Sequence, residues 1–497
     1  MLIGIDQGTT GTTCLALSDD LTPLARAYRD LPNRFPRPGW VEQEPEEILA
    51  TVVETVAEVL QVAGGEEVRA AGLANQGETV VAWDRSTGEA LGPAIVWSDR
   101  RSSTVVDALE RAGKGQAISE LSGLRLDAYF SASKLSWLLR HDRRVQAARE
   151  AGSLLLGTLD AWIGWRLAGR THLTDHSTAS RTQLLGPGGD DWDDELLDHF
   201  GVPREALPSV RTSLGARGEL EHPSWGRPLP WTASLVDQPA ALAGNACFAE
   251  GETKVTYGTG CFALANAGGT PPTPPAGLLP ITAWSEADDR VYAVEGGAFT
   301  AGTAINWLIQ VGLLAAPGET ADLAESVEDA GDVRFLPALS GLGAPWWQQE
   351  AAGAFAGLSS GTTRAHLVRA VLDSIALRVR DILEAAWSAG IRKPVAGLRV
   401  DGGLTSNRYL MQRQADLLGL PLLLSPNREA TALGAAAMAG IAAGLFGRDE
   451  VREAVAAPVR IEPRSSARER DAEYYEWLDW VERACQLTER TARVEER

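Results

Sequence analysis

Apolar and polar positions at the start of the chain fall into short runs. Leu2, Ile3 and Ile5 form an apolar strand that meets Asp6, Gly8-Thr9-Thr10 turns the chain, and Thr13-Cys14-Leu15-Ala16-Leu17 opens a second strand. A third strand is expected at about 23–30. The period then changes. Leu49, Val52, Val53, Val56, Val59 and Leu60 recur at helical spacing behind the acidic turn Pro45-Glu46-Glu47, and Gly64-Gly65 stops the run, which places a helix at about 45–63. Strands follow at 70–75, 79–85 and 94–97, and helices at 101–112, 134–142 and 159–169. Leu154-Leu155-Leu156 reads as a strand between the last two helices.

The pattern restarts near the middle. Lys254-Val255-Thr256-Tyr257-Gly258-Thr259-Gly260-Cys261-Phe262 is again strand, Gly/Thr turn, strand. A strand at about 291–295, a helix at about 302–312 and a long helix at about 363–388 follow. Leu398-Arg399-Val400-Asp401 is then a strand entering Gly402-Gly403 and a further helix. The Pro-rich stretch 268–279 reads as a loop, and the acidic, aromatic stretch 466–490 as a terminal helix packed on the second domain. Two related α/β domains, 1–245 and 246–497, account for the repetition if each offers its hairpin to a shared cleft. The switch between them is expected near 240–255.

Glycines and hydroxyls at a hairpin tip aim backbone N–H groups at an oxyanion. A carboxylate beside them, such as Asp6, suits Mg²⁺, which prefers carboxylate and water oxygens. The same residues also suit a plain hairpin whose aspartate caps a turn, and the residues alone leave both open. Asp237, in Ser234-Leu235-Val236-Asp237-Gln238-Pro239, is equally two-sided. It is either a base at the end of an apolar strand or the N-cap of the helix that follows, and local pattern favours the cap.

Composition narrows the field. A net charge of −20 disfavours nucleic acid and anionic membranes as partners, since either needs a basic face. No apolar run approaches the roughly 18–20 residues of a membrane span, and no secretory signal is evident. Cys14, Cys247, Cys261 and Cys485 show no metal-ligand spacing and read as reduced core residues of a cytoplasmic protein.

In order along the chain, several segments together resemble the FGGY carbohydrate kinases, most closely the glycerol-phosphorylating branch. They include Pro38-Gly39-Trp40-Val41-Glu42, Ala94-Ile95-Val96-Trp97 and Tyr129-Phe130-Ser131-Ala132-Ser133-Lys134. Tyr257 to Phe262, Gly341-Leu342-Gly343-Ala344-Pro345-Trp346-Trp347, Gly353 to Leu358 and Thr431-Ala432-Leu433-Gly434-Ala435-Ala436 complete the set. The resemblance runs from about residue 2 to 485. It implies a duplicated actin-like, ribonuclease-H-like ATPase fold that closes on its substrates. It also implies Mg·ATP-dependent phosphorylation of a polyol or sugar hydroxyl, here glycerol to glycerol 3-phosphate.

By the same resemblance Asp237 is the catalytic base, and Asp6 with Asp237 is associated with Mg²⁺. ATP is implied to meet Gly8, Thr9 and Thr10 in the first hairpin and Thr259 and Gly260 in the second, with Gly302, Asn306, Gly403 and Asn407 on the nucleotide side. The polyol is implied to meet Glu78, Trp97, Tyr129, Asp237, Gln238 and Phe262. A homodimer or homotetramer is left open. So is a non-catalytic nucleotide sensor on the same fold, although retention of Asp6 and Asp237 argues against it.

The chain departs from the branch at two arginines. Gly77, in Asn75-Gln76-Gly77-Glu78-Thr79, stands where an arginine donates to glycerol hydroxyls, and Thr13 replaces another arginine after the first hairpin. Gly77 is expected to leave room, so a longer polyol or a ketose (erythritol, xylulose, ribulose) is the alternative acceptor, and Gly77→Arg is expected to tighten a glycerol-like pocket. Gln348 and Ala352 are lesser departures. The loop 214–230 carries no clear effector-binding pattern, and His222 within it reads as a solvated residue.

Overall fold

Two mixed sheets in the computed structural model carry the same strand plan. The structure describes residues 1–495 except 274–276, 428 and 456–458, with side chains through residue 487. In the first sheet the antiparallel strands Pro23–Asp30, Gly11–Leu17 and Leu2–Gln7 lead into the parallel strands Ala70–Asn75 and Leu229–Val236. In the second, Asp289–Ala298, Cys261–Gly268 and Thr253–Tyr257 are antiparallel and lead into the parallel strands Leu398–Asp401 and Leu422–Leu424. Each sheet therefore starts with a tight hairpin and continues through crossovers, which is the duplication anticipated from the repeated Gly/Thr turn.

The helix Pro45–Ala63 forms where its apolar spacing predicts, with proline in the first turn and Gly64 in a positive-φ conformation at its end. It buries Ile48, Val52, Val56 and Val59 on the outer face of the first sheet. The long helix Arg364–Ser388 does the same for the second domain. The terminal helix Ala467–Glu495 docks there through Trp477, whose Nε1 donates to the buried Asp381 carboxylate at 3.1 Å.

A smaller four-stranded sheet, Glu42–Gln43, Ala94–Ile95, Val80–Asp84 and Leu154–Thr158, stands beside the first sheet with its own core. The stretch 268–279 connects two strands as expected, its residues 274–276 lying outside those described. The strand Leu279–Glu286 and the helices Gly115–Ser122 and Arg143–Glu150 were not anticipated.

The helix Ala430–Ala442 belongs to the later half of the chain yet packs against the first sheet. A Cβ at Gly4 would lie 2.0 Å from Ala432 O, and one at Gly72 would lie 1.9 Å from Ala435 O. Glycine is required there because backbone meets backbone. The helix also crosses Asp237–Gly244, with which it shares an alanine-rich core between the two sheets.

Candidate active site

The two hairpins are built alike. Gly8 N–H donates to Gly11 O at 3.0 Å, and Gly258 N–H donates to Gly260 O at 2.9 Å. The amide N–H groups of Thr9, Thr10 and Thr259 have no acceptor among the described residues, which is the donor arrangement an oxyanion requires. The Thr9 hydroxyl is engaged elsewhere. It accepts from Trp97 Nε1 at 2.9 Å and donates to Gln76 Oε1 at 3.3 Å. The first hairpin is thus tied to the wall of the expected polyol pocket.

Around the second hairpin the expected nucleotide residues converge. The helix Gly302–Gln310 starts against it: a Cβ at Gly302 would lie 2.7 Å from Gly258 O, and Thr303 Oγ1 donates to Thr259 O at 2.9 Å. Asn306 is exposed one turn further on. Gly402, with φ +94°, passes so close to the hairpin strand that a Cβ would meet Tyr257 O at 2.4 Å, and Gly403 follows in an exposed turn. Asn407 has a structural task here as well. Its Oδ1 caps the helix Arg408–Leu418 through Leu410 N–H, and its Nδ2 donates to Thr320 Oγ1.

Asp237 is the first residue of the helix Asp237–Gly244, immediately after the strand Leu229–Val236, and the N-cap is Val236. The capping reading of its carboxylate therefore fails; Oδ1 accepts only the adjacent Gln238 N–H, at 2.6 Å. Burial raises its pKa, Glu295 adds to the rise, and the cations Arg181 and Lys254 oppose it. Asp6 is the next-to-last residue of the first strand. Burial pushes its carboxyl from 3.8 to about 8, with repulsion from Asp237 and then Glu429 adding to the effect.

Glu78, Trp97 and Tyr129 come from the smaller sheet and its connections and meet at one wall. The Trp97 and Tyr129 rings pack edge to face with centroids 5.5 Å apart. Lys134 fixes the Tyr129 loop by donating to the carbonyls of Ala128, Tyr129 and Phe130. Phe262 lies beside the second hairpin, its ring 2.9 Å from where a Gly297 Cβ would stand and 3.3 Å from where one at Gly260 would. Gln238 accepts from Lys254 Nζ, which also donates to Thr256 Oγ1 at 2.9 Å.

Three charged residues that sequence reading passed over complete the centre: Arg181, Glu295 and Lys254. All are buried. Burial raises the Glu78 carboxyl to about 7, although Arg181 opposes the rise. Their signal in the sequence was a lone charge in an apolar or small-residue setting, as in Ala179-Ser180-Arg181 and Val294-Glu295-Gly296. Such charges are almost never buried unless paired.

Gly77 does not leave room. A Cβ there would lie 2.9 Å from Arg181 Nε and 2.9 Å from Val236 Cγ2. The expected vacancy is filled by the Arg181 side chain, and Gly77→Arg would place two guanidinium groups in one space instead of tightening the pocket.

Family models define the class. The N-terminal domain of the FGGY family of carbohydrate kinases matches residues 1–244, and the family's C-terminal domain matches residues 253–443. The chain belongs to this family; it is a phosphotransferase with an alcohol group as acceptor and ATP as a substrate. It is 40% identical over 488 residues to glycerol kinase 2 of Thermotoga maritima, covering 97% of this chain and 98% of that one. To the glycerol kinase of Methylorubrum extorquens it is 44% identical over 498 residues, with 98% and 99% covered. A crystal structure of Plasmodium falciparum glycerol kinase with ADP superposes with a TM-score of 0.91 at 30% identity, covering 97% of each chain. Xylulose kinase from Lactobacillus acidophilus shares the fold, with a TM-score of 0.87 at 22% identity over 99% of this chain and 98% of that one. The fold is the two-domain actin-like ATPase fold. Among the described residues no helix is long and apolar enough to cross a membrane.

Proposed function

We propose that this chain transfers the γ-phosphoryl group of ATP to glycerol, giving glycerol 3-phosphate and ADP. The observation that carries the reading is the convergence of Glu78, Tyr129, Trp97 and Asp237 around Arg181 and the first hairpin, in a chain whose near-full-length relatives are glycerol kinases. Asp237 accepts the proton of the attacking hydroxyl. The hydroxyl oxygen bonds to the γ-phosphorus as the bridge to the β-phosphate breaks, and ADP leaves with that bridging oxygen. Carboxylate and phenol groups of Glu78 and Tyr129 hold the other hydroxyls. Trp97 and Phe262 cover the carbon chain and exclude water, which would otherwise compete for the phosphoryl group. The free N–H groups of Thr9, Thr10 and Thr259 receive phosphate oxygens. Gly8, Gly260, Gly302 and Gly403 let backbone approach the nucleotide, and Asn306 and Asn407 flank its adenosine end.

Among the described residues no three His, Cys, Asp or Glu side chains gather into a metal cage. Mg²⁺ does not need one, because it is commonly held by one or two carboxylates together with waters and phosphates. Asp6 beside Asp237 suits it, two mutually repelling acids that a cation would relieve. When bound, the ion neutralises charge on the β- and γ-phosphate oxygens. The domain division at 245/246, a cytoplasmic setting and a homodimeric or homotetrameric assembly belong to the same reading.

A consequence for stability follows from Asp6. Its carboxyl keeps its proton in the folded chain to about pH 8 but ionises near 3.8 once unfolded. Between those values the unfolded state binds fewer protons, so ligand-free stability falls as pH rises through this window. Asp6→Asn is expected to flatten the fall in melting temperature while abolishing turnover. A variant profile parallel to the parent's would show that Asp6 does not carry the effect.

A coupled ADP-release assay with Mg·ATP, glycerol and a panel of C3–C6 polyols and ketoses tests the function. Turnover is expected with glycerol in preference to all longer acceptors. Preference for a tetritol or pentulose would replace the substrate assignment. ATP turnover with no acceptor dependence at all would return the sensor reading.

A further inference from the structure

We propose that Arg181, placed over Gly77, is the acceptor-reading guanidinium of this pocket. The inference rests on the glycerol reading above. Arg181 follows the short helix His176–Ala179 and is buried. Its Nε donates to Glu78 Oε1 at 2.6 Å, and Nη2 donates to the Tyr129 hydroxyl at 3.1 Å. Nη1 and Nη2 also hold the two oxygens of Glu295, at 2.7 and 3.1 Å. It therefore touches two of the residues expected to hold the acceptor.

A guanidinium has five N–H donors. The bonds above use four, which leaves one on Nη1 for an acceptor hydroxyl. Glu295 fixes the fork from the second domain, so the donor is held in a defined plane and is not a mobile cation. Glycine at 77 is what admits it. The Cδ and Nε of Arg181 would lie 3.2 and 2.9 Å from a Cβ at that position, and Val236 Cγ2 2.9 Å from it, so a side chain there would press on both Arg181 and Val236.

Steady-state kinetics of the full chain test the assignment. Arg181→Gln is expected to raise KM for glycerol roughly ten- to hundredfold, the effect of losing a charge-assisted hydrogen bond, while KM for ATP stays within about twofold of the parent. Arg181→Lys recovers only part of the loss, because a point charge cannot bridge Glu78 and Glu295 together. Glycerol KM within twofold of the parent in Arg181→Gln overturns the proposal. So does a parallel rise in both KM values, which a merely structural arginine would give. If Arg181→Gln does not fold, Arg181→Lys decides, because it keeps a cation between Glu78 and Glu295 while losing the planar fork. A several-fold rise in glycerol KM alone supports the assignment, and no rise refutes it. A parent enzyme inactive on glycerol but active on another polyol would refute the glycerol reading separately, and the same variants measured with that polyol would still decide Arg181.

Discussion

Asp237→Asn is expected to lower kcat for glycerol phosphorylation by roughly 10²–10⁴-fold, the range for loss of a positioned general base, with the fold and ATP affinity retained. Asparagine is the informative substitution. It preserves the shape at the first helical position, and its Oδ1 still accepts the Gln238 N–H, as the carboxylate does at 2.6 Å. What it removes is the proton acceptor. Burial and Glu295 raise the pKa of Asp237 while Arg181 and Lys254 lower it, and a base works only when ionised. The parent's rate should therefore climb with pH through the titration of Asp237, whereas the residual rate of the variant should lack that limb. Single-turnover measurement of the chemical step across pH separates this from slow product release. A residual rate within tenfold of the parent, or an unchanged pH limb, would remove Asp237 as the base and leave it a role in positioning alone.

The elements best read from sequence are those whose local pattern carries its own stop signals. The helix Pro45–Ala63 has an apolar stripe, a proline at its start and two glycines at its end, and the structure agrees to the residue. Both Gly/Thr hairpins were legible for the same reason, since turn chemistry is local. The helices Gly115–Ser122 and Arg143–Glu150 were not. The second is mostly charged residues and alanine, and its two buried side chains, Val145 and Ala148, make no recognisable face. The site divides along the same line. Residues lying in contiguous motifs could be carried over by resemblance. Arg181 and Glu295, 114 positions apart, become a site only through the packing of one domain against the other. Gly77 shows the cost of reading a position alone: the missing side chain suggested an empty space, and a residue 104 positions later occupies it.

The second large effect is expected at Gly434. Helix propensity alone favours alanine over glycine in a helix interior by about 1 kcal/mol, so Gly434→Ala would stabilise an isolated helix. In this fold a Cβ at 434 would lie 1.8 Å from Ala240 O and 2.7 Å from Gly244 N, and the reciprocal Cβ at Gly244 would lie 1.8 Å from Ala430 O. These are backbone atoms and cannot rotate aside. Relief requires the two helices to separate, and overpacking of this kind costs typically about 1–3 kcal/mol and occasionally more. The collision should outweigh the propensity gain. Gly434→Ala is thus expected to lower the melting temperature and Gly434→Val to prevent folding. Gly65→Ala, where no heavy atom lies within 4 Å of the new Cβ, should stay within about 0.5 kcal/mol of the parent. The consequence reaches the chemistry because the displaced partner, Asp237–Gly244, carries the base at its first residue. Gly434→Ala should therefore lower kcat even at temperatures where the variant is fully folded. A folded variant with parental kcat would mean that the helices relax without moving Asp237; a melting temperature at or above the parent's would mean that the close crossing is not what holds the two helices in place.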